Sequence, residues 1–308
     1  MGLKMLRRRI ASIVDWVDGQ MGVAVQDVTT GEEIGVASDR LYPMASVCKT
    51  PILVEAYRRV DAGTLSLKKR VLLTRATRTA GSGLLNYCET GLRPCISDLL
   101  LLMIVVSDNA ATDLVLEEIG GPEGVTATMR NLGFSDIRLH RTIRQLIHDI
   151  HVRLEPTLKD LDYHALEARL KTDPQLDEIL HDDGKVSSAV TGATEDRDVA
   201  CPRDIARLYA QICRNECASE KSCEAILKTL ERQQLRGRLP RNLPPRVRCC
   251  HKTGTLGNGN VCNDTGVIFV GDRPIAVAIL SKEVKQDPAE TNTAIARIGR
   301  VIYDHFSA

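Results

Sequence analysis

Hydrophobic residues near both ends of the chain alternate with polar or small residues, as they do in strands that bury one face. Residues 21–38 hold two such runs around a Thr-Gly turn, where Gly31 can adopt the positive φ of a hairpin. Three more runs lie at 246–255, 265–271 and 273–283, and the last two are joined at Gly271 and Asp272. The pattern predicts one antiparallel sheet built from both chain ends.

Helical spacing of apolar residues predicts a helix at each terminus. Ile10, Ile13, Val14 and Val17 share one face of the first helix, and residues 290–306 form the second amphipathic pattern. We expect these terminal helices to cover the sheet.

The middle of the chain also shows helical patterns. Residues 51–63 carry an apolar stripe that ends at Gly63, and Ser97 is expected to cap a helix whose residues 99–106 are all apolar. A helix that is apolar on all sides must be buried among other helices. We therefore predict an α+β protein with an α/β domain at 1–40 and 232–308 and a helical domain at 41–231.

Residues 145–196 differ from their surroundings, because they are polar and hold four of the seven histidines. Short helices are expected at 163–170 and at 173–180, the second capped by Asp173 with Pro174 in its first turn. A metal site from His148, His151 and Glu155 is an alternative to a polar surface, and we favour the surface. We predict no metal and no cofactor.

Composition limits the classes of partner. The chain has 308 residues, of which 43% are hydrophobic and 26% charged, with a net charge of +1. Such values are ordinary for a globular protein and give no basic footprint for nucleic acid or acidic lipid. We expect a monomer that acts on a small molecule, with neither nucleic acid nor membrane as partner.

The N-terminus and the cysteines suggest a cytoplasmic protein. Asp15 and Asp18 interrupt the apolar stretch after the basic start, so we expect no export signal in this sequence. The ten cysteines have no framework spacing, and Cys213, Cys217 and Cys223 lack the CxxC pair typical of zinc sites. Reduced thiols are the favoured interpretation.

Residues 46–49 place a serine three residues before a lysine at a predicted helix start. At that spacing the Lys49 amine can reach the Ser46 hydroxyl, and the free N–H groups of the helix start can stabilise an oxyanion. Lys49 must first lose its proton, and at pH 7 only about one free lysine in 2500 is neutral. The same spacing recurs at Ser66 and Lys69, so the pair alone decides nothing.

Two further triplets accompany the pair in chain order, namely SDN at 107–109 and KTG at 252–254. Together the three motifs resemble those of the class A β-lactamase and penicillin-binding-protein superfamily. The resemblance extends over nearly the whole chain, including residues 107–125 and 262–268. It implies the fold of that superfamily and a serine hydrolase that forms an acyl-enzyme.

The resemblance also implies a role for each motif residue. Ser46 would be the acylated nucleophile, Lys49 its base, Ser107 the proton relay to the leaving nitrogen, and Lys252 a source of positive potential. Asn109, Thr253, Gly254 and Thr255 would bind substrate, and the backbone N–H groups of Ser46 and Thr255 would form the oxyanion hole. Ser66 lacks such supporting motifs, and Cys48 is expected to be a buried hydrophobe.

The glutamate that activates the deacylating water in class A enzymes has no clear counterpart. A gapless alignment places Arg141 and Ile143 on the family's arginine and glutamate, which leaves the base missing. Alternatively, residues 153–159 match the motif and place Glu155 as the base. We favour the first alignment, because it requires one insertion instead of two, with the insert at 145–196 reshaping the site.

Three functions stay open. The favoured one is a hydrolase acting on β-lactams, with turnover that is slow if the glutamate is missing. The second is a D-amino-acid peptidase, carboxypeptidase or esterase for which β-lactams are mimics. The third is a non-catalytic binding protein on the same fold, which the complete set of Ser46, Lys49, Ser107 and Lys252 argues against.

Overall fold

The computed structural model describes residues 2–307, with only the backbone described at 163, 164 and 167. The side chain of His164 therefore lies outside the described part. The strands are β1 (Gln20–Asp27), β2 (Glu33–Val36), β3 (Tyr42–Pro43), β4 (Val199–Ala200), β5 (Cys249–Leu256), β6 (Val261–Val270) and β7 (Arg273–Lys282).

Five strands form the antiparallel sheet expected from the sequence, in the order β2-β1-β7-β6-β5. Both predicted turns are present, with φ of 77° at Gly31 and 59° at Gly271. Strand β1 lies beside β7, so the two chain ends meet in the middle of the sheet. The prediction of an α+β fold is confirmed.

The described part of the chain contains twelve α-helices. They are α1 (Leu3–Val14), α2 (Lys49–Asp61), α3 (Ile96–Val105), α4 (Asn109–Glu118), α5 (Gly121–Asn131), α6 (Ile143–Leu154), α7 (Tyr163–Thr172), α8 (Pro174–His181), α9 (Asp183–Ala193), α10 (Pro202–Cys213), α11 (Glu220–Glu231) and α12 (Pro288–Phe306). Short 3-10 turns lie at Ala45–Cys48, Leu85–Tyr87 and Pro156–Leu158.

Successive residues of the central strands alternate between two cores, as strand geometry requires. In β7, Val277 and Ile279 belong to the core that α1 and α12 cover, as predicted. Ala276 and Ala278 belong to the larger core on the other face, where α10 packs on β1 and β7. Helix α10 precedes residue 232, where the predicted helical domain ends, yet it packs on the sheet of the other domain. The boundary near 232 therefore stays a prediction.

Helix α3 begins earlier than expected, so the prediction that Ser97 caps it is wrong. The N-cap is Cys95, whose backbone N–H donates to Asp98 Oδ2 at 3.0 Å. Asp98 occupies the third helical position, from which a carboxylate can reach back to the cap. That reciprocal pair moves the helix start two residues toward the N-terminus.

The region 145–196 folds as helices that pack beside the rest of the chain. Helices α7 and α8 appear where predicted, and Asp173 accepts from the N–H groups of Gln175 and Leu176. Helix α6 and helix α9 were not predicted. Ile150 and Leu154 of α6 and Val186 of α9 share an apolar cluster with Ala45, which connects this region to the Ser46 turn.

Within residues 2–307, none of the helices combines the length and the apolar character that a bilayer crossing needs.

Candidate active site

Ser46 lies in the 3-10 turn that precedes α2 and is half-buried. The residue before it, Ala45, has a φ of 49°, a conformation that non-glycine residues rarely adopt. Asn263 of β6 holds this turn, because its Nδ2 donates to Pro43 O at 2.8 Å and to Met44 O at 3.1 Å. The nucleophile candidate is therefore fixed to the sheet by backbone contacts.

Strand β5 forms the edge of the sheet and runs beside the Ser46 turn. A Cβ at Gly254 would lie 2.8 Å from Met44 O and 3.1 Å from Ser46 N. Only glycine lets the strand and the turn approach this closely without displacing backbone. The middle residue of KTG is thus required by packing between the two elements.

Lys49 is fully buried at the start of α2. Its Nζ donates to Ser107 O at 2.6 Å, to Asn109 Oδ1 at 2.8 Å and to Ser107 Oγ at 3.2 Å. In the described part of the chain, the amine makes no hydrogen bond to Ser46 Oγ. The direct contact expected from the spacing is therefore absent in this arrangement.

Lys252 of β5 is also fully buried, and its Nζ donates to Ser107 Oγ at 3.0 Å and to Thr253 O at 2.8 Å. The hydroxyl of Ser107 is thereby shared by two amines. Ser107 has a φ of 57°, and strained backbone of this kind is often found at functional sites. The three motifs, which are far apart in the sequence, meet at one hydroxyl.

Burial lowers the pKa of Lys49 to about 8, although nearby carboxylates oppose this shift. Burial also holds the pKa of Lys252 well below its usual range, and the charge on Lys49 adds to that effect. Two like charges that face one hydroxyl in a dry site favour the loss of a proton from the pair. A neutral amine is therefore available near neutral pH.

Asp108 and Asn109 of the SDN motif fix the loop at residues 80–85 by hydrogen bonds to its backbone. Asp108 caps α4 by accepting from Ala111 N at 2.9 Å, and its other oxygen accepts from Leu84 N and Leu85 N. Asn109 Nδ2 donates to Ala80 O at 2.8 Å. An amide nitrogen carries two protons, so one N–H of Asn109 can still meet a substrate carbonyl.

Sequence reasoning missed Arg238, which lies behind Thr255. Its guanidinium donates to Thr255 Oγ1 and to Gly254 O, each at 2.7 Å, and to Asn263 O at 2.8 Å. Arg238 is buried, whereas Thr255, to which it donates, is exposed, so the guanidinium places positive charge directly behind an accessible hydroxyl of β5. No local motif marks Arg238, because its role arises from contacts with residues distant in the sequence.

A cavity of about 440 Å³ opens at Ser46. Among the residues assigned from the sequence, Ser46, Ser107, Asn109, Thr253 and Thr255 line it. Its described lining contains no aspartate, glutamate, lysine or arginine. The cavity therefore has a polar end, which contains Ser46 and Ser107, and walls that lack a carboxylate.

Ile143 lines this cavity at the start of α6, and its backbone N–H donates to Asp113 Oδ1 at 2.7 Å. The preceding Arg141 is buried, and its Nε donates to Asp198 Oδ2 at 2.7 Å. Glu155 does not line the cavity. Its carboxylate accepts from Thr157 N at 3.0 Å at the far end of α6.

The other candidates lie elsewhere. Ser66 is exposed, and Lys69 pairs with Glu118 at 2.5 Å. The imidazole of His148 contacts Leu161 O, whereas the Glu155 carboxylate accepts from Thr157 N, so neither side chain supports the alternative metal site. Burial raises the pKa of the Cys48 thiol to about 12, so this cysteine stays protonated and unreactive.

The beta-lactamase enzyme family model matches residues 5–306. A beta-lactamase of Streptomyces albus G is 26% identical over 307 aligned positions, which cover 96% of this chain and 82% of that protein. A crystal structure of a beta-lactamase from Sphaerobacter thermophilus is 27% identical with a TM-score of 0.76, covering 98% of this chain and 96% of that one.

A second solved structure, described as PBP-A, has the same fold. It has a TM-score of 0.77 at 22% identity, with 99% of this chain and 96% of that chain covered.

Proposed function

The chain belongs to the beta-lactamase enzyme family, and on that premise we propose that it opens β-lactams through an acyl-enzyme at Ser46. One observation carries the proposal. A single hydroxyl, that of Ser107, lies 3.2 Å from Lys49 Nζ and 3.0 Å from Lys252 Nζ at the end of the cavity that contains Ser46.

Acylation follows from this arrangement. Lys49, when neutral, is proposed to take the proton of Ser46 once bound substrate brings the two side chains within hydrogen-bond distance, and the Ser46 oxygen attacks the lactam carbonyl. Backbone N–H groups of Ser46 and Thr255 are proposed to hold the oxyanion, since preorganised donors stabilise such charge. Ser107 then gives its proton to the leaving nitrogen and recovers one from a lysine, which leaves an ester on Ser46 and a secondary amine.

The substrate is proposed to contact three further groups. A carboxylate on the leaving half accepts from the hydroxyls of Thr253 and Thr255, with Arg238 supplying charge behind them. Asn109 donates its remaining N–H to a carbonyl on the acyl half. The two halves of the substrate thus meet different parts of the site.

Deacylation is proposed to be slow. Hydrolysis of the ester needs a water activated by a base, and such assistance is typically worth about 100 to 10,000-fold. Within the described residues no carboxylate lines the cavity, and Ile143 occupies the position that the favoured alignment assigns to the base. Glu155 remains the alternative base, although its carboxylate bonds to Thr157.

The missing carboxylate also supports a second candidate function. An esterase or D-amino-acid peptidase could use the same acylation steps and react with β-lactams as mimics of its substrate. A non-catalytic binding protein gains no support from two buried lysines, because burying an amine without using its reactivity costs free energy.

A cytoplasmic monomer is proposed as the working form. The ten cysteines are free thiols in the structure. Free thiols are typical of reducing compartments. Fractionation of the native host and light scattering of the purified protein test these two points.

Intact-mass spectrometry with a penicillin tests the central assignment. The wild-type protein should gain the mass of one penicillin, since ring opening on Ser46 loses no atoms. Ser46→Ala should show no adduct, whereas Ser66→Ala should react like wild type because Ser66 lies on the surface. An adduct that persists in Ser46→Ala contradicts the assignment.

A further inference from the structure

We infer that the enzyme selects substrates whose acyl half is an uncharged, apolar group of medium length, such as a hexanoyl, octanoyl or arylalkyl chain. The inference rests on the proposed function, because it assumes that Ser46 is acylated. It concerns the walls of the cavity and not the catalytic groups.

One wall is a single face of α6. Ile143, Leu146, Ile147, Ile150 and Leu154 all line the cavity, and their spacing of three or four residues places them on one stripe of the helix. A helix rises about 1.5 Å per residue, so this stripe extends over about 16 Å. The wall is long enough to contact an extended chain and not only the reacting atoms.

Other elements add apolar side chains to the lining. Leu180 of α8 and Val186 of α9 line the cavity from the region 145–196, and Leu235 and Leu256 line it from the rest of the chain. Val186 also packs with Ala45, the residue next to Ser46. The apolar surface therefore begins at the nucleophile and continues away from it.

The one titratable side chain in these described walls is the imidazole of His151. Its Nδ1 is buried and has no hydrogen-bond partner within residues 2–307. Burial lowers the pKa of His151, with a contribution from His148, so the ring is neutral at pH 7. The walls thus offer no charge to a charged acyl group, whose burial would be costly.

The acyl half is the part of the substrate that fits this surface. The donors around Ser107, Lys252, Thr253 and Thr255 are proposed to serve the leaving half, which carries the departing atom and the carboxylate. Most of the remaining side chains of the lining are apolar, with Ser82, Asn109, His151 and Asn258 as the polar ones. A volume of about 440 Å³ is within the range of typical ligand pockets, roughly 300 to 1,000 Å³.

A series of p-nitrophenyl esters tests the inference, since only the acyl half varies. Ser46 Oγ forms a bond to the acyl carbon while the bond to the phenolate oxygen breaks, and water later returns the acid and the free serine. The acylation rate constant, taken from the burst of p-nitrophenolate, is compared for acetate, butyrate, hexanoate and octanoate.

We expect the rate constant to rise at least tenfold from acetate to hexanoate. Each fully buried methylene contributes at most about fourfold, and partial burial contributes less. Octanoate should match or exceed hexanoate, and a succinate half-ester, which carries a charge, should react more slowly than butyrate.

Two matched variants on α6 locate the effect. Ile150 lines the cavity, whereas Val152 packs on another face of the helix against the cluster of Leu158, Leu166 and Leu176. Ile150→Gln should lower the ratio of the hexanoate rate to the acetate rate about tenfold, because the polar side chain replaces part of the apolar wall. Val152→Gln places the same side chain on the same helix and should keep the wild-type preference.

Equal rates across the ester series, in a protein that penicillin acylates, overturn the inference and leave the proposed function intact. Equal loss of chain-length preference in both variants shows that the wall of α6 is not the cause and also overturns it. A protein that reacts with neither penicillin nor any ester contradicts the proposed function itself. The wild-type series is decisive even where a variant fails to fold.

Discussion

The Ser107 hydroxyl is the atom at which the side chains of the three motifs meet. Two buried amines donate to it. Lys49 lies 58 positions before Ser107 in the chain, and Lys252 lies 145 positions after it. Because both amines are fully buried, their charged forms are disfavoured, and the pair can exchange a proton through the hydroxyl.

The acylation rate should rise with pH. Lys49 has a pKa lowered to about 8, so below that pH it is protonated and cannot accept the proton of Ser46, while above it the neutral amine accumulates. The rate constant for penicillin acylation between pH 6 and 10 should follow one rising step, which belongs to the lysine pair. A profile without a step in this range would show that some other base acts.

Replacing Lys49 by arginine should slow acylation at least 100-fold, because a guanidinium keeps its proton at any accessible pH. Intact mass at fixed times after penicillin addition measures the effect. Lys69→Arg is the control, since Lys69 follows a serine at the same spacing but pairs with Glu118 on the surface. Near-normal acylation in Lys49→Arg contradicts the assigned role.

Arg238→Gln should weaken the reaction with substrates that carry a carboxylate. Hydrogen bonds to charged groups contribute about 1.5 to 3 kcal/mol, which corresponds to about 10 to 100-fold in acylation efficiency for a penicillin. The penicillin methyl ester, which lacks that charge, should lose far less. An equal loss for acid and methyl ester would indicate that Arg238 only supports the fold.

At the scale of elements, helix α6 determines the shape of the site. Its start is fixed by Asp113, which accepts from Ile143 N at 2.7 Å and Arg144 N at 3.0 Å. Just before it, Asp198 accepts from His140 N at 2.8 Å and pairs with Arg141. The start of α6, the helix that carries the apolar wall, is therefore held near the Ser46 turn.

Asp198→Ala should destabilise the protein by about 1.5 to 3 kcal/mol, because the buried Arg141 loses one carboxylate partner and keeps the more exposed Asp149. The free energy of unfolding in urea measures this. The matched control is Asp196→Ala, because Asp196 is 80% exposed beside Arg197 and should contribute less than about 1 kcal/mol. Equal losses of unfolding free energy in the two variants would show that the buried pair of Arg141 and Asp198 stabilises the protein no more than a surface pair does.

The apolar spacing of α6 was present in the sequence, at positions 143, 146, 147, 150 and 154, yet the helix was not predicted. The polar residues between these positions mask the periodicity in a segment that is polar overall. By contrast, Asp173 and Pro174 gave an unambiguous start for α8. Capping residues proved more informative there than average polarity.

At the scale of the whole molecule, the sheet and its terminal helices could be predicted because alternation and amphipathic spacing are local properties. The contact between Lys252 of β5 and Ser107 could be inferred only from the order of three motifs. Arg238 and the shape of the cavity could not be predicted, since they depend on how distant elements pack. Local patterns therefore gave the elements, and tertiary contacts complete the site.

A time-resolved mass measurement tests the central claim, an acyl-enzyme at Ser46 that lacks a carboxylate for its hydrolysis. After a short pulse of penicillin, the wild-type protein should carry one adduct that decays slowly. Glu155→Gln should leave that decay unchanged, and Ile143→Glu should speed it if water can enter beside the new carboxylate. Rapid clearance in the wild type, with a trapped adduct in Glu155→Gln alone, would contradict the account.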